Sequence, residues 1–397
     1  MKLTTKSNVI LVYIAVLFLV DILNKRTLYF SDTALIFIKT IKMIFYITFI
    51  IFLAKEKDYR LIKPLGILSS VFFINQGLLL MTNTGLGVSD LLPNIRELFL
   101  YCFPFIFSYT LYNQEDKGFV KRLTVLFEII IWIVLITTIL GFLFNIELFL
   151  TYDQNRFGYM GLMPKSITVT YFYIGALIYV YYSMMRFNKL KILFLLLLFT
   201  SLLVGAKAVY LFVFLLGAFH FTDQKWYLNK TFYIAGTIVI ATLILFREKC
   251  MNFLKSTFYI LYDLYQKEGL LTALTSMRNK NFITNSNKYE PFWEWYNYLI
   301  GGRIASFNLF EMSIVDLTVF FGISGTVFYL ITIYKLTVTA RSQKSSFFLF
   351  SIFSLFFVSI FAGQFFINIS AITYIIIVFF LLNKMIDTPN NNEVRTN

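Results

Sequence analysis

About twelve stretches of this chain are apolar over a length close to the roughly 20 residues a helix needs to cross a bilayer. They lie near 8–23, 33–54, 65–81, 96–112, 123–144, 165–185, 190–204, 207–221, 231–246, 312–334, 346–366 and 370–383. In lipid a backbone must satisfy its own hydrogen bonds, so such segments fold as helices. The pattern predicts an all-α polytopic membrane protein with about 12 transmembrane helices. The third and fourth spans are the weakest, because NQG (75–77) and CFP (102–104) interrupt them. Composition agrees: 14% of residues are charged, against about 25% in soluble domains.

The lead-in MKLTTK followed by an apolar run imitates a secretory signal. No small-residue cleavage site follows, so the run reads as an uncleaved first span. Lys and Arg concentrate in alternate short connections, which puts both termini in the cytoplasm of a multi-pass inner-membrane protein. The chain then divides into spans one to nine (1–246), a large extracytoplasmic loop (247–311), and spans ten to twelve with a cytoplasmic tail (312–397). The net charge of +14 is spread over short loops as orientation signals, and no nucleic-acid motif accompanies it. Cys102 and Cys250 have no metal spacing, and the single histidine, His220, reads as packed or interfacial. No metal or other cofactor is expected.

The long connection breaks the pattern of short loops, and long loops in compact chains are commonly functional. Its first half spaces Phe253, Leu254, Phe258, Leu261, Tyr262 and Tyr265 at helical intervals, which predicts an amphipathic helix on the membrane face. Its second half, NKYEPFWEWYNYLIGGR, sets Trp293 and Trp295 among carboxylates. Two readings stay open there: rings that stack on sugars, or an aromatic belt at the water interface.

Cations inside apolar runs are the other anomaly, since a charge at mid-membrane costs about 3 kcal/mol or more. Lys207 follows a break at Gly205 in a run from Leu193 to Phe221. Lys39 and Lys42 share a face of the second span, Arg96 opens the fourth, and Arg156, Arg278 and Arg303 come from the outer segments. Asp32, Asp90, Glu97, Glu290, Glu294, Glu311 and Asp316 are available as partners, so pairing accounts for some of these cations. As a set they point to an anionic ligand, because Arg grips phosphate oxygens in a fork and Lys adds a point charge.

Four stretches in order resemble the O-antigen polymerase and ligase superfamily: NRFGYMGLMPKSIT (155–168), LLVGAKAVYLF (202–212), LTSMRNKNF (274–282) and LIGGRIASFNLFEMSIVDLTVFFGISG (299–325). In the first, Met163-Pro164-Lys165 stands where the family has an Asn-Pro-Asn-like turn; in the second, Lys207 holds the Arg position. Glu311 stands eleven residues before Gly322, where ligases of the superfamily carry a His, and the departure implies the polymerase branch. The resemblance implies an integral-membrane glycosyltransferase that polymerises undecaprenyl-pyrophosphate-linked oligosaccharides at the outer membrane face. The implied partners are that lipid-linked substrate, the bilayer, a chain-length regulator and a flippase.

Such chemistry needs cations where negative charge grows on the leaving pyrophosphate. It assigns that role to Lys207 and Arg278, with Arg156 and Arg303 binding substrate. Lys207 is expected to be held by a carboxylate when no pyrophosphate is bound. A carboxylate must also take the acceptor proton. Glu311, at the expected start of the tenth helix, is the first choice for that base. Asp316 lies five residues on, about 7.5 Å deeper and about 140° round the axis, and is expected to pair with a cation in the span. Gly322 and Gly325 are expected to let helices pack closely. A flippase or other transporter and a lipid-linked sugar ligase are the rival readings; the chain shows no internal repeat of the kind transporters carry.

Overall fold

The computed structural model describes residues 3–27, 32–56, 59–83, 85–114, 116–152, 157–228, 244, 247–248, 255 and 259–387. These fold as helices α1 (Leu3–Thr27), α2 (Asp32–Glu56), α3 (Tyr59–Thr82), α4 (Val88–Tyr112), α5 (Lys117–Phe144), α6 (Ser166–Phe187), α7 (Lys191–Leu203) and α8 (Lys207–Asp223). After the long connection begins come α9 (Tyr259–Thr275), α10 (Arg278–Tyr289), α11 (Trp295–Ile300), α12 (Ser313–Thr337), α13 (Ser346–Phe361) and α14 (Ile369–Asp387). Among the described residues the only β pairing is a bridge between Leu150 and Tyr159.

Six of these helices, α1, α3, α5, α6, α12 and α14, are long and apolar enough to cross a membrane. The expected twelve spans map differently onto the rest: α7, α8 and α13 have 13, 17 and 16 residues, and the ninth lies outside the described residues except for Ile244. Helices α3 and α4 run without a break through the NQG and CFP stretches. In α3 the reason is visible, because Asn75 and Gln76 are buried and bond to other segments instead of competing for their own helix.

The most deeply buried pair is α6 and α14, whose residues 168–183 and 370–383 are buried on all sides. A helix apolar all round belongs at a centre. Around them the other helices keep large apolar side chains on the outside, among them Leu19, Ile44, Phe73, Leu143 and Phe353. An exposed apolar girdle around an apolar core is the reverse of a soluble protein's patterning.

The sequence break at Gly205 separates α7 from α8, so Lys207 opens a helix as expected. Gly322 marks a second break, a kink inside α12 at φ +72°. There the segment entering from α11 crosses the α12 backbone: a Cβ on Gly322 would sit 2.2 Å from the Leu299 carbonyl, and one on Gly301 would sit 2.5 Å from Phe320 O. The hydrogen bonds Gly302 N to Val319 O (2.9 Å) and Ser324 Oγ to Leu299 O (2.6 Å) close the crossing. Glycine is needed on both chains because no side chain fits between two backbones at contact.

Candidate functional site

The crossing at Gly301 and Gly322 carries Arg303 into a buried polar layer. Gln76 and Asn94 both donate to the Arg303 carbonyl, at 3.3 and 2.7 Å, and Asn94 also donates to Gln76. Asn75 donates to Ile300 O and Phe320 O at 2.8 and 3.0 Å. These amides from α3 and α4 satisfy carbonyls at and beside the crossing, as buried backbone groups require. The Arg303 side chain, 5% exposed, reaches Glu97 at 3.4 Å and donates to the Tyr289 hydroxyl at 3.1 Å. Burial works against its charge, but Tyr289 and Glu97 outweigh it and hold the guanidinium above its ordinary pKa.

Asp316 lies close to Arg303 but is occupied differently. Its Oδ1 accepts from Phe310 N at 2.8 Å, while Oδ2 is buried with no hydrogen-bond partner among the described residues. Asp316 therefore ties down the segment before α12, and the ion pair expected of it is not formed among the described residues.

Glu311 departs from expectation. Helix α12 begins at Ser313, and Glu311 sits two residues earlier in the left-handed region at φ +58°. That conformation is unusual for a residue with a side chain, and its backbone lies on Gly363, where a Cβ would meet Glu311 O at 2.4 Å. The turn leaves the Glu311 side chain 51% exposed, with Oε2 at 4.0 Å from Arg278 Nε. Arg278 in turn donates to Phe361 O at 2.5 Å, and its Nε has no hydrogen-bond partner among the described residues. The pair is loose: the ions face each other without a close contact.

Lys207 reaches the same neighbourhood by another route. Its ammonium donates to the carbonyls of Ala273 and Leu274 in the last turn of α9. Helix C-terminal carbonyls attract cations through the helix dipole, and these two are Lys207 partners that sequence reasoning did not name. That contact holds the end of α9 just ahead of Arg278, across the turn at Ser276 and Met277.

A cavity of about 610 Å³ opens beside Glu311. Its walls are α10 and the segment from Arg303 to Glu311, completed by Gln364. Asn285 joins the two walls by donating to Leu309 O at 3.3 Å. Arg303 and Glu311, two of the expected site residues, line this one space.

The tryptophans divide. Trp293 packs on Tyr289 and Tyr298, with ring centroids at 5.1 and 5.3 Å, and its indole donates to Gly302 O at 2.9 Å, so it braces the crossing from inside. Trp295 is 73% exposed and outside the cavity wall. Arg156 lies outside the described residues. Of the other cations, Lys42 pairs with Asp21 at 2.8 Å and with Ser370 at 3.2 Å in a separate buried cluster between α1, α2 and α14, and Arg96 is exposed. His220 bonds to the Tyr181 hydroxyl at 2.9 Å, a packed role.

Most of the residues that sequence reasoning missed are amides. Asn75, Gln76 and Asn94 build the polar layer, and Asn281, Thr284, Asn285 and Lys288 line the cavity from α10. The second set had a signal: the four positions follow the i, i+3, i+4, i+7 spacing of one helix face. Among the described residues no group of three or more His, Cys, Asp or Glu side chains gathers as a metal site would need. Compared with protein-family models, curated proteins and solved structures, the chain matches none.

Proposed function

We propose that this chain is an integral-membrane glycosyltransferase that polymerises undecaprenyl-pyrophosphate-linked oligosaccharide repeat units into a surface polysaccharide, whether O-antigen, capsule or exopolysaccharide. In this reading the chain crosses the cytoplasmic membrane about twelve times with both termini inside, and residues 247–311 lie on the outer face. The observation that carries the reading is the Arg278 and Glu311 pair at the edge of a polar cavity, at one end of an apolar helical bundle.

The chemistry follows from that pair. An acceptor sugar hydroxyl attacks the anomeric carbon of the donor unit, the bond from that carbon to the pyrophosphate oxygen breaks, and the lipid pyrophosphate departs with the electron pair. Negative charge grows on the leaving group, and Arg278, a part-exposed guanidinium facing Glu311, is the cation assigned to receive it. The hydroxyl proton passes to Glu311, which is exposed and loosely paired, so it can exchange its partner. Lys207 fixes the end of α9 and adds positive charge close by. Arg303, closed in by Glu97 and Tyr289, shapes the cavity wall.

A cellular test separates this reading from a flippase. With Glu311→Gln as the sole copy, the proposal expects single repeat units on the surface-displayed lipid and no longer chains. Repeat units trapped on the inner membrane face would instead assign the chain to transport, and normal chain lengths would reject the catalytic role of Glu311.

A further inference from the structure

The cavity beside Glu311 differs from a diphosphate pocket in its charge. Of the three charged residues that line it, Arg303 is already paired with Glu97 and Glu311 faces Arg278 at the edge, which leaves Lys288 as the one lining cation with no carboxylate partner among the described residues. What the cavity has in excess is uncharged hydrogen-bonding capacity. Asn281, Thr284, Asn308 and Gln364 line it, and none of these four side chains has a hydrogen-bond partner among the described residues. Asn281 and Thr284 belong to the polar stripe along α10; Asn308 and Gln364 come from two other segments, so three pieces of chain converge on one space.

Each amide presents a donor and an acceptor, and each hydroxyl does both. Sugar hydroxyls also donate and accept, so a concave wall of unpaired amides is matched to them and poorly matched to a polyanion. Phe307 adds an apolar ring to the same wall, fixed edge-on against Tyr289 and Phe292 at 5.1 and 5.6 Å. A ring among amides is the usual composition of a surface that stacks a pyranose face and reads its rim.

Resting on the proposed polymerase reading, we infer that this cavity is the acceptor subsite, that it takes an uncharged oligosaccharide, and that Asn281, Thr284, Asn308 and Gln364 are its specificity-determining residues. The layout is then two-sided. Glu311 stands between an amide side that holds the acceptor sugar and a cation side, with Arg278 and Lys207, that receives the pyrophosphate. The sugar contacts expected of Trp293 and Trp295 move to this wall, because Trp293 is committed to Gly302 and Trp295 does not line the cavity.

The test is equilibrium binding to the purified full chain in lipid nanodiscs. The probe is the host's own surface polysaccharide, hydrolysed to lipid-free repeat-unit oligosaccharides and labelled at the reducing end. Binding read by fluorescence anisotropy should be saturable and unaffected by inorganic pyrophosphate. It should weaken about tenfold or more in Asn281→Ala/Asn308→Ala, which removes two hydrogen-bonding amides. Asn308→Asp, an isosteric change at an exposed position, should weaken it as well by replacing a donor with a charge. Undiminished binding in both variants, displacement by pyrophosphate, or no oligosaccharide binding at all would each overturn the inference. Failure of the polymerase reading is a separate result: oligosaccharide binding lost in the amide variants while Glu311→Gln still makes full-length polymer.

Discussion

Two arginine and glutamate pairs stand side by side in this molecule, and they are built for different purposes. Arg303 and Glu97 are brought together at 3.4 Å in a buried layer where Tyr289 takes another guanidinium hydrogen, with the arginine 5% exposed. Arg278 and Glu311 face each other at 4.0 Å with 26% and 51% exposure, and the arginine keeps an unpartnered Nε. A buried pair held by a second hydrogen bond to Tyr289 is committed to the fold, and removing one member leaves a charge without compensation. A loose, part-exposed pair contributes little to stability and, in the proposed reading, trades partners during the reaction. In the proposed reading the same residue types therefore divide between holding the fold and doing chemistry.

The largest expected effect breaks the comparison at its reactive member. Glu311→Gln should lower the polymerisation rate by about 10² or more, the range for loss of a general base, measured as chain formation from lipid-linked substrate; a loss of less than threefold or so would remove Glu311 from that role. Next, Arg303→Met should destabilise the protein by about 3 kcal/mol by stranding Glu97 in a poorly solvated site, read from thermal unfolding in detergent. The double variant Arg303→Met/Glu97→Leu should recover part of that loss, and no recovery would mean that Arg303 acts through packing alone. Arg278→Met should change stability by less than about 1 kcal/mol while abolishing chain growth; unfolding comparable to that of Arg303→Met would erase the distinction between the pairs. Smallest is Trp295→Ala, which should leave stability within about 0.5 kcal/mol and oligosaccharide binding unchanged, in the same nanodisc measurement.

Much of the architecture could be read from the chain because lipid-compatible helices announce themselves by length and apolarity: α1, α5, α6, α12 and α14 fall where the apolar runs lie. The break at Gly205 was legible too, since glycine interrupts an apolar run where it has no helical advantage, whereas Gly322 was expected only to allow close packing and instead kinks α12. The polar layer was not legible. Asn75 and Gln76 read as interruptions of a span, whereas they are buried side chains that bond to Ile300, Phe320 and Arg303 carbonyls more than two hundred residues away. Nothing in local sequence reports a partner at that separation. Glu311 was found as a residue but misplaced as a helix opener, because its left-handed turn depends on contact with Gly363. Lys207 was recognised as anomalous, but its carbonyl partners on α9 required the path of the long connection.

The central claim, that cations and one carboxylate at this end of the bundle join sugars with release of a lipid pyrophosphate, is tested most directly in a purified system. The full chain in nanodiscs is incubated with an undecaprenyl-pyrophosphate oligosaccharide, and the products are resolved on a gel. The account predicts a ladder of longer chains from the native protein and unextended substrate from Glu311→Gln and Arg278→Met. Equal ladders from all three proteins, or substrate left unextended by the native protein under conditions where it binds, would contradict it.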